Sequence, residues 1–225
     1  MEDLLDESER DRYPIVMRTF LSEYRQSLRP DRRYLLEQYR FVDIARKVVG
    51  VGSVGTRAWV TLFRGRDRSD PLILQLKEAG PSVLAPYVDD PGHVQHGERV
   101  VDGQRMMQAA SDPLLGWYRL TAFDGHEHDF YVRQMWDGKA SIDVSGLSPR
   151  GLAMYAETCA WVLAKAHARS GPRMTVAAYL GKSDGFDEAM ADFASAYAEV
   201  NASDHARLLE AIASGRLAAA GEVDA

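Results

Sequence analysis

The chain has 225 residues, of which 46% are hydrophobic and 27% charged, with a formal net charge of −6 and one cysteine. That length allows one large or two small domains with a substantial core. The charge argues against a nucleic-acid partner, the lone Cys159 excludes an intramolecular disulfide or cysteine-rich zinc site, and no apolar run reaches the roughly 18 residues of a membrane span. The acidic start from Met1 to Glu9 is not a signal peptide, so a cytoplasmic protein away from membranes is expected.

Residues 1–42 read as N-terminal helices that follow a charged, loosely ordered beginning. From Pro14, the residues Val16, Phe20, Tyr24 and Leu28 recur at helical spacing, and proline suits a first turn. Pro30 breaks this helix, and Asp31 is placed to cap a second one through Tyr34, Leu35 and Gln38. Arg32, Arg33 and Arg40 have the reach to contact phosphates, although solvated helix faces carry the same residues.

Residues 43–137 change period. Lys47-Val48-Val49 reads as strand, and Gly50-Val51-Gly52-Ser53-Val54-Gly55 then spaces its glycines as G-x-G-x-x-G. A dinucleotide-binding fold requires a helix directly after such glycines, so that the pyrophosphate meets the helix N-terminus. Here Ala58-Trp59-Val60-Thr61-Leu62-Phe63 follows, rich in β-branched and aromatic residues, and predicts a strand. The glycines therefore join two strands, where they let backbone N–H groups approach a ligand. A glycine-rich hairpin over phosphates is the protein-kinase arrangement, completed by a lysine on a later strand. Lys77, at the end of the apolar run from Leu72, supplies that lysine. A tight hairpin with an edge-strand lysine accounts for the same residues without a ligand.

The segment 93–110 predicts a helix with Val100, Val101, Gln104 and Met107 toward the core. A kinase-like site needs a carboxylate on this helix to hold the strand lysine toward phosphate. Glu98 is the first choice and Asp102, one turn later, the second. Strands are expected over Leu114–Ala122 and Asp129–Met135, joined by a hairpin containing Asp124-Gly125. His126 and His128, with His93 and His96, invite a metal, but an exposed hairpin tip is the better reading and no metal ligands are assigned. The connector Gln134–Lys139 would face a nucleotide base, with Lys139 and Asp143 nearby.

Residues 138–225 read as a helical lobe. Ser148-Pro149 opens a helix whose stripe Leu152, Tyr155, Cys159, Val162, Leu163 and Ala166 is apolar, so Cys159 reads as packing and not as a nucleophile. Asp184 is placed to cap a helix through Phe186, Met190, Phe193 and Tyr197, where Lys182, Asp184 and Asp187 cluster. Ser203 opens a last helix closed by Gly215. The expected fold class is α+β: a five-stranded antiparallel sheet with one packed helix, then helices.

Phe41 to Arg57 closely resembles the bacterial domain-of-unknown-function family numbered 2252, as do Gln75-Leu76-Lys77-Glu78-Ala79, Gly103 to Asp112, Phe130 to Gln134, Ala164 to Gly171 and Tyr179 to Asp184. The resemblance covers about residues 20 to 217. Members look similar to protein-kinase-like phosphotransferases of the aminoglycoside-kinase type, with an altered segment order. The resemblance implies ATP with magnesium as ligand and Gly50, Gly52, Ser53, Gly55, Lys77 and Glu98 as nucleotide contacts. In longer members, Gly-Asp-x-His and Asp-rich segments precede the glycine-rich stretch, and this chain resembles only the later portion. It carries no H-R-D, D-F-G or Gly-Asp-x-His string, and Arg57 stands where the kinase pattern has valine. No catalytic residue is therefore assigned.

The expected function is the nucleotide-binding part of a kinase-like phosphotransferase, inactive alone and completed by an upstream family segment or a second chain. A non-catalytic kinase-like binding or regulatory module is the alternative, and an unrelated α+β domain whose glycines only make a turn is the third reading. A nucleophilic hydrolase is disfavoured because Gly-x-Ser-x-Gly is absent around Ser53.

Overall fold

The computed structural model describes residues 7–47, 55–88, 92–121, 125–135 and 141–218, with side chains of the first helix from Ile15 onward. By their contacts these residues form two units, one up to Ser170 and one from Gly171. The first contains α1 (Glu7–Ser27), α2 (Pro30–Glu37), β1 (Arg40–Arg46), β2 (Ala58–Arg64), β3 (Pro71–Glu78), α3 (His96–Met107), β4 (Gly116–Thr121), β5 (Glu127–Gln134) and α4 (Pro149–Ser170). The second contains α5 (Arg173–Leu180) and α6 (Gly185–Ala213).

The five strands form one antiparallel sheet in the order β1-β2-β3-β5-β4. Alternation along β3 sorts its side chains between two faces. Leu72, Leu74 and Leu76 enter the core with Phe63, Tyr118, Phe130 and Val132, and α1 covers this face with Met17, Phe20, Tyr24 and Leu28. Those four recur every three or four residues, a single helical stripe. Phe20 meets Tyr118 edge-on at 4.8 Å between ring centroids, and Tyr118 stacks on Phe130 at 4.9 Å. The buried Tyr24 hydroxyl donates to the Leu114 carbonyl at 2.6 Å, so the polar tip of this core residue is satisfied.

On the opposite face α3 lies against β4 and β5. Its contact stripe runs through Gly97 and Val101, both buried. Gly97 allows the helix backbone to sit directly against the Phe130 carbonyl, a space that a β-carbon would overlap. This seating turns Val101 fully inward and leaves Met107 48% exposed, so the expected inward role of Met107 is corrected.

Other boundaries moved for local reasons. Helix α1 begins at Glu7, ahead of Pro14, and β1 begins at Arg40, inside the stretch expected to belong to the N-terminal helices. Asp31 is not the cap of α2: Pro30 opens the helix without a side-chain cap, and Asp31 sits in the first turn beside Arg29 and Arg32. Ser148 does cap α4, accepting the Gly151 N–H at 3.2 Å.

Each unit also carries a correction among its helices. The stripe Leu152, Tyr155, Val162 and Leu163 is exposed, and so is Cys159. In the second unit, Asp184 occupies the cap position of α6 without a capping side-chain bond, and α6 runs unbroken for 29 residues through Ser203. Ser203 lies within helical backbone because no proline or glycine interrupts the run.

The two glycines of α3 give opposite expectations. Gly97→Ala forces a β-carbon into the Phe130 carbonyl and should destabilise by about 1–3 kcal/mol, outweighing the helix-propensity gain of about 0.5–1 kcal/mol. Gly103→Ala meets open space and should stabilise by that smaller amount. Urea midpoints measure both; matching signs for the two variants would contradict this seating of α3.

Candidate functional site

Of the residues expected to cradle phosphate, Gly55, Lys77 and Glu98 fall within the described residues, the first just before β2, the second near the end of β3 and the third in α3. β1 and β2 are antiparallel neighbours, and the glycine-bearing stretch joins them in sequence. Gly50, Gly52 and Ser53 lie outside the described residues. Gly55 has φ +84°, a left-handed backbone that glycine adopts without strain, and it leads into β2. Lys77 is in register with Ala58 of β2 and with Tyr131 of β5. It thus lies one strand away from the residues that follow Gly55.

Lys77 alternates with Leu76, which places it on the face away from α1. The same face carries the buried Gln75, whose Oε1 accepts from Arg133 Nε at 3.3 Å and Nη2 at 3.1 Å. Burial raises the Tyr131 pKa, with the nearby Arg133 charge acting in the opposite direction. Helix α3 meets this face through Trp117, over which the Arg105 guanidinium sits at 5.5 Å, and through Asp129.

The two candidate acids on α3 differ in their surroundings. Asp102 accepts from His93 Nε2 at 3.1 Å and stands 3.9 Å from Arg105, so it is engaged on its own side of the helix. Glu98 lies in the first turn, where its backbone N–H donates to the Gln95 side chain that caps the helix.

A polar network absent from the expectations holds these elements in place. The Arg57 backbone N–H donates to Glu78 Oε2 at 2.9 Å, and its Nη1 donates to Oε1 at 3.1 Å. Arg57 therefore clamps the entry of β2 to the end of β3, directly beside Lys77. His128 Nδ1 meets the same Glu78 Oε1 at 2.9 Å. His128 is half-buried by this contact, which corrects its assignment to an exposed tip; His126 is exposed. Among the described residues no group of three or more His, Cys, Asp or Glu is arranged to hold a metal.

The second half of the network centres on Asp129. Its Oδ1 accepts from Arg119 Nε at 2.6 Å, and its Oδ2 accepts from Arg119 Nη2 at 3.1 Å and from the His96 backbone N–H at 2.8 Å. The last bond satisfies a donor at the start of α3 and places negative charge at the positive helix end. A polar cavity of about 340 Å³ opens between the two halves, lined by Glu78, Pro81, His96, Arg119, His128 and Asp129 among others. Of its charged lining groups, Asp129 is paired with Arg119 and Glu78 with Arg57 and His128.

Both carboxyls ionise more readily than usual. Burial alone would raise the Asp129 pKa, but the Arg119 and His96 hydrogen bonds and the nearby charge outweigh it. At Glu78 burial is likewise outweighed by the Arg57 backbone N–H, the guanidinium and His128. Period-two alternation could have paired Arg119 with Asp129 once the hairpin register was known. The Arg57–Glu78 pair spans 21 residues and left no local signal.

Because both folded pKa values are depressed, the network's stabilisation is complete above the unfolded carboxylate range and is lost as pH falls through the folded values. Asp129→Asn should therefore cost about 1–3 kcal/mol at neutral pH and flatten the loss of stability on acidification. Unfolding midpoints across the acid range provide the check; an unchanged acid limb in the variant would contradict the role given to Asp129.

No curated protein and no solved structure is detectably similar to the chain. The model of the family described as an uncharacterized protein conserved in bacteria (DUF2252) matches residues 6–211, and the chain belongs to that family.

Proposed function

We propose that this protein is the nucleotide-binding part of a kinase-like phosphotransferase fold, taking ATP with magnesium at the β1–β2 connection and Lys77. The observation that carries the proposal is register: Lys77 pairs with Ala58, just after Gly55, at the base of a glycine-rich strand–strand connection. Such a lysine neutralises phosphate charge while loop N–H groups bind oxygen atoms. The α3 helix between β3 and β4 adds the element from which kinases supply a carboxylate to that lysine. Glu98 is the proposed partner, since Asp102 is engaged by His93.

Magnesium would arrive with the nucleotide. The ion keeps several waters and commonly takes only one or two protein carboxylates beside the phosphates. A full set of metal-binding and acceptor-orienting acids is not assigned to this chain, and the proposal places them on an upstream family segment or a second chain. Phosphoryl transfer needs that charge compensation, so the chain by itself should bind weakly and transfer nothing. A non-catalytic kinase-like module is the second reading, favoured by the absence of H-R-D, D-F-G and Gly-Asp-x-His strings from the sequence.

Calorimetry with magnesium-ATP tests the proposal on the native chain and on Lys77→Ala. Weak saturable binding is expected, reduced about tenfold or more by the substitution, as for loss of one charge-assisted contact. Equal affinity of the two proteins would remove Lys77 from the site. Incubation with γ-labelled ATP and small hydroxyl or amine acceptors should show no turnover by the chain alone; turnover abolished by Lys77→Ala would overturn the claim of inactivity.

A further inference from the structure

A second concentration of positive charge lies on the other side of the sheet, on the helices that cover its core face. Arg18, Leu21, Ser22, Arg25 and Gln26 occupy one face of α1 at helical spacing, and Arg33 reaches over from α2. Together they line a cavity of about 340 Å³, a volume within the range of small-ligand sites, about 300–1,000 Å³. Among the described residues no acidic side chain lines it, in a protein whose net charge is −6.

The three guanidinium groups are held differently. Arg33 donates through Nε to the Arg25 carbonyl at 2.9 Å and through Nη2 to the carbonyls of Gln26 and Leu28 at 3.3 and 3.4 Å. It thereby satisfies the last carbonyls of α1 and fixes its own charge at the cavity wall. Arg25 Nε is buried and has no hydrogen-bond partner. An unpaired cation that has lost part of its hydration gains more than a solvated one from an incoming anion.

Glu37 lies one turn from Arg33 on α2 but forms no ion pair with it. Asp31 is shared by Arg29 and Arg32, and among the described residues no ion pair involves Arg18, Arg25 or Arg33. Glu23 is two positions from Arg25 and faces another side of α1. The lining adds neutral hydrogen-bonding groups, with Gln26 Nε2 donating to Ser22 Oγ at 3.5 Å.

We propose that this cavity binds the phosphoryl group of a small soluble polyanion. Forked guanidinium donors match tetrahedral phosphate oxygens; Arg18 and Arg25 supply such forks at this cavity, and Arg33, whose fork is committed to carbonyls, adds fixed charge. The site is separate from the nucleotide site proposed above. Lys77 lies on the opposite face of the sheet from the side chains that α1 covers.

Inorganic pyrophosphate is the probe, titrated into the full chain by calorimetry and followed by backbone NMR. Saturable binding is expected, with shifts along α1 and at Arg33, weakened about tenfold or more by Arg18→Gln or Arg25→Gln and unchanged by Lys77→Ala. Arg18 is exposed, so its substitution should leave the fold intact and keeps the test decisive if Arg25→Gln unfolds. Absence of saturable binding, equal affinity in Arg18→Gln, or loss of binding only in Lys77→Ala would each overturn the proposal. Capture by anionic lipid vesicles without binding of soluble pyrophosphate would also overturn it, in favour of a membrane surface.

Discussion

The buried carboxylate of Asp129 is the constraint on which the arrangement of the sheet and α3 depends. It is 7% exposed and receives three hydrogen bonds, two from Arg119 and one from the first N–H of α3. A buried charge is tolerable only when paired and hydrogen-bonded, and here the pairing joins two strands and a helix terminus at one point. Gly97 then lets the helix backbone close onto β5, and Val101 fills the space beneath it. Remove the carboxylate, and Arg119 and the helix N-terminus would both lose their acceptor.

Glu78 repeats this logic one strand away. Arg57 grips it with both backbone and side chain, and His128 meets it from β5. The residue next to Lys77 is thus tied to the residue that enters β2 from the glycine-rich connection. The backbone at Lys77 is thereby held beside the start of β2 before any ligand is considered. Glu78 and Lys77 thus lie together at the end of the central strand β3, the first tied into the polar network and the second on the face away from α1.

Several features could be read from local pattern. β-Branched and aromatic content marked β2, an apolar run marked β3, the 3.6-residue period marked α1, α3 and α4, and Ser148-Pro149 marked the start of α4. Long-range polar pairing could not be read in this way. Arg57 with Glu78 and Arg119 with Asp129 become partners only when strand register is set. Period alone also misjudged exposure: Cys159 and its neighbours in α4 form an apolar stripe that is open in this structure, because a hydrophobic stripe specifies a face without specifying what covers it. α5 escaped notice because, unlike the equally short α2 with its Pro30-Asp31 start, it has no acidic residue in its first turn to mark it. For the candidate site, Lys77 and Gly55 follow the expected strand context, whereas the residues that brace them were found only in three dimensions.

Amide hydrogen exchange with and without magnesium-ATP tests the central claim, that the glycine-rich connection and the end of β3 form one nucleotide-binding site. The account predicts slowed exchange at 47–58, around Lys77 and in the connector after β5, because the ligand would cover those backbones together. Unchanged exchange in those segments at saturating nucleotide, with protection confined to other parts of the chain, would contradict it.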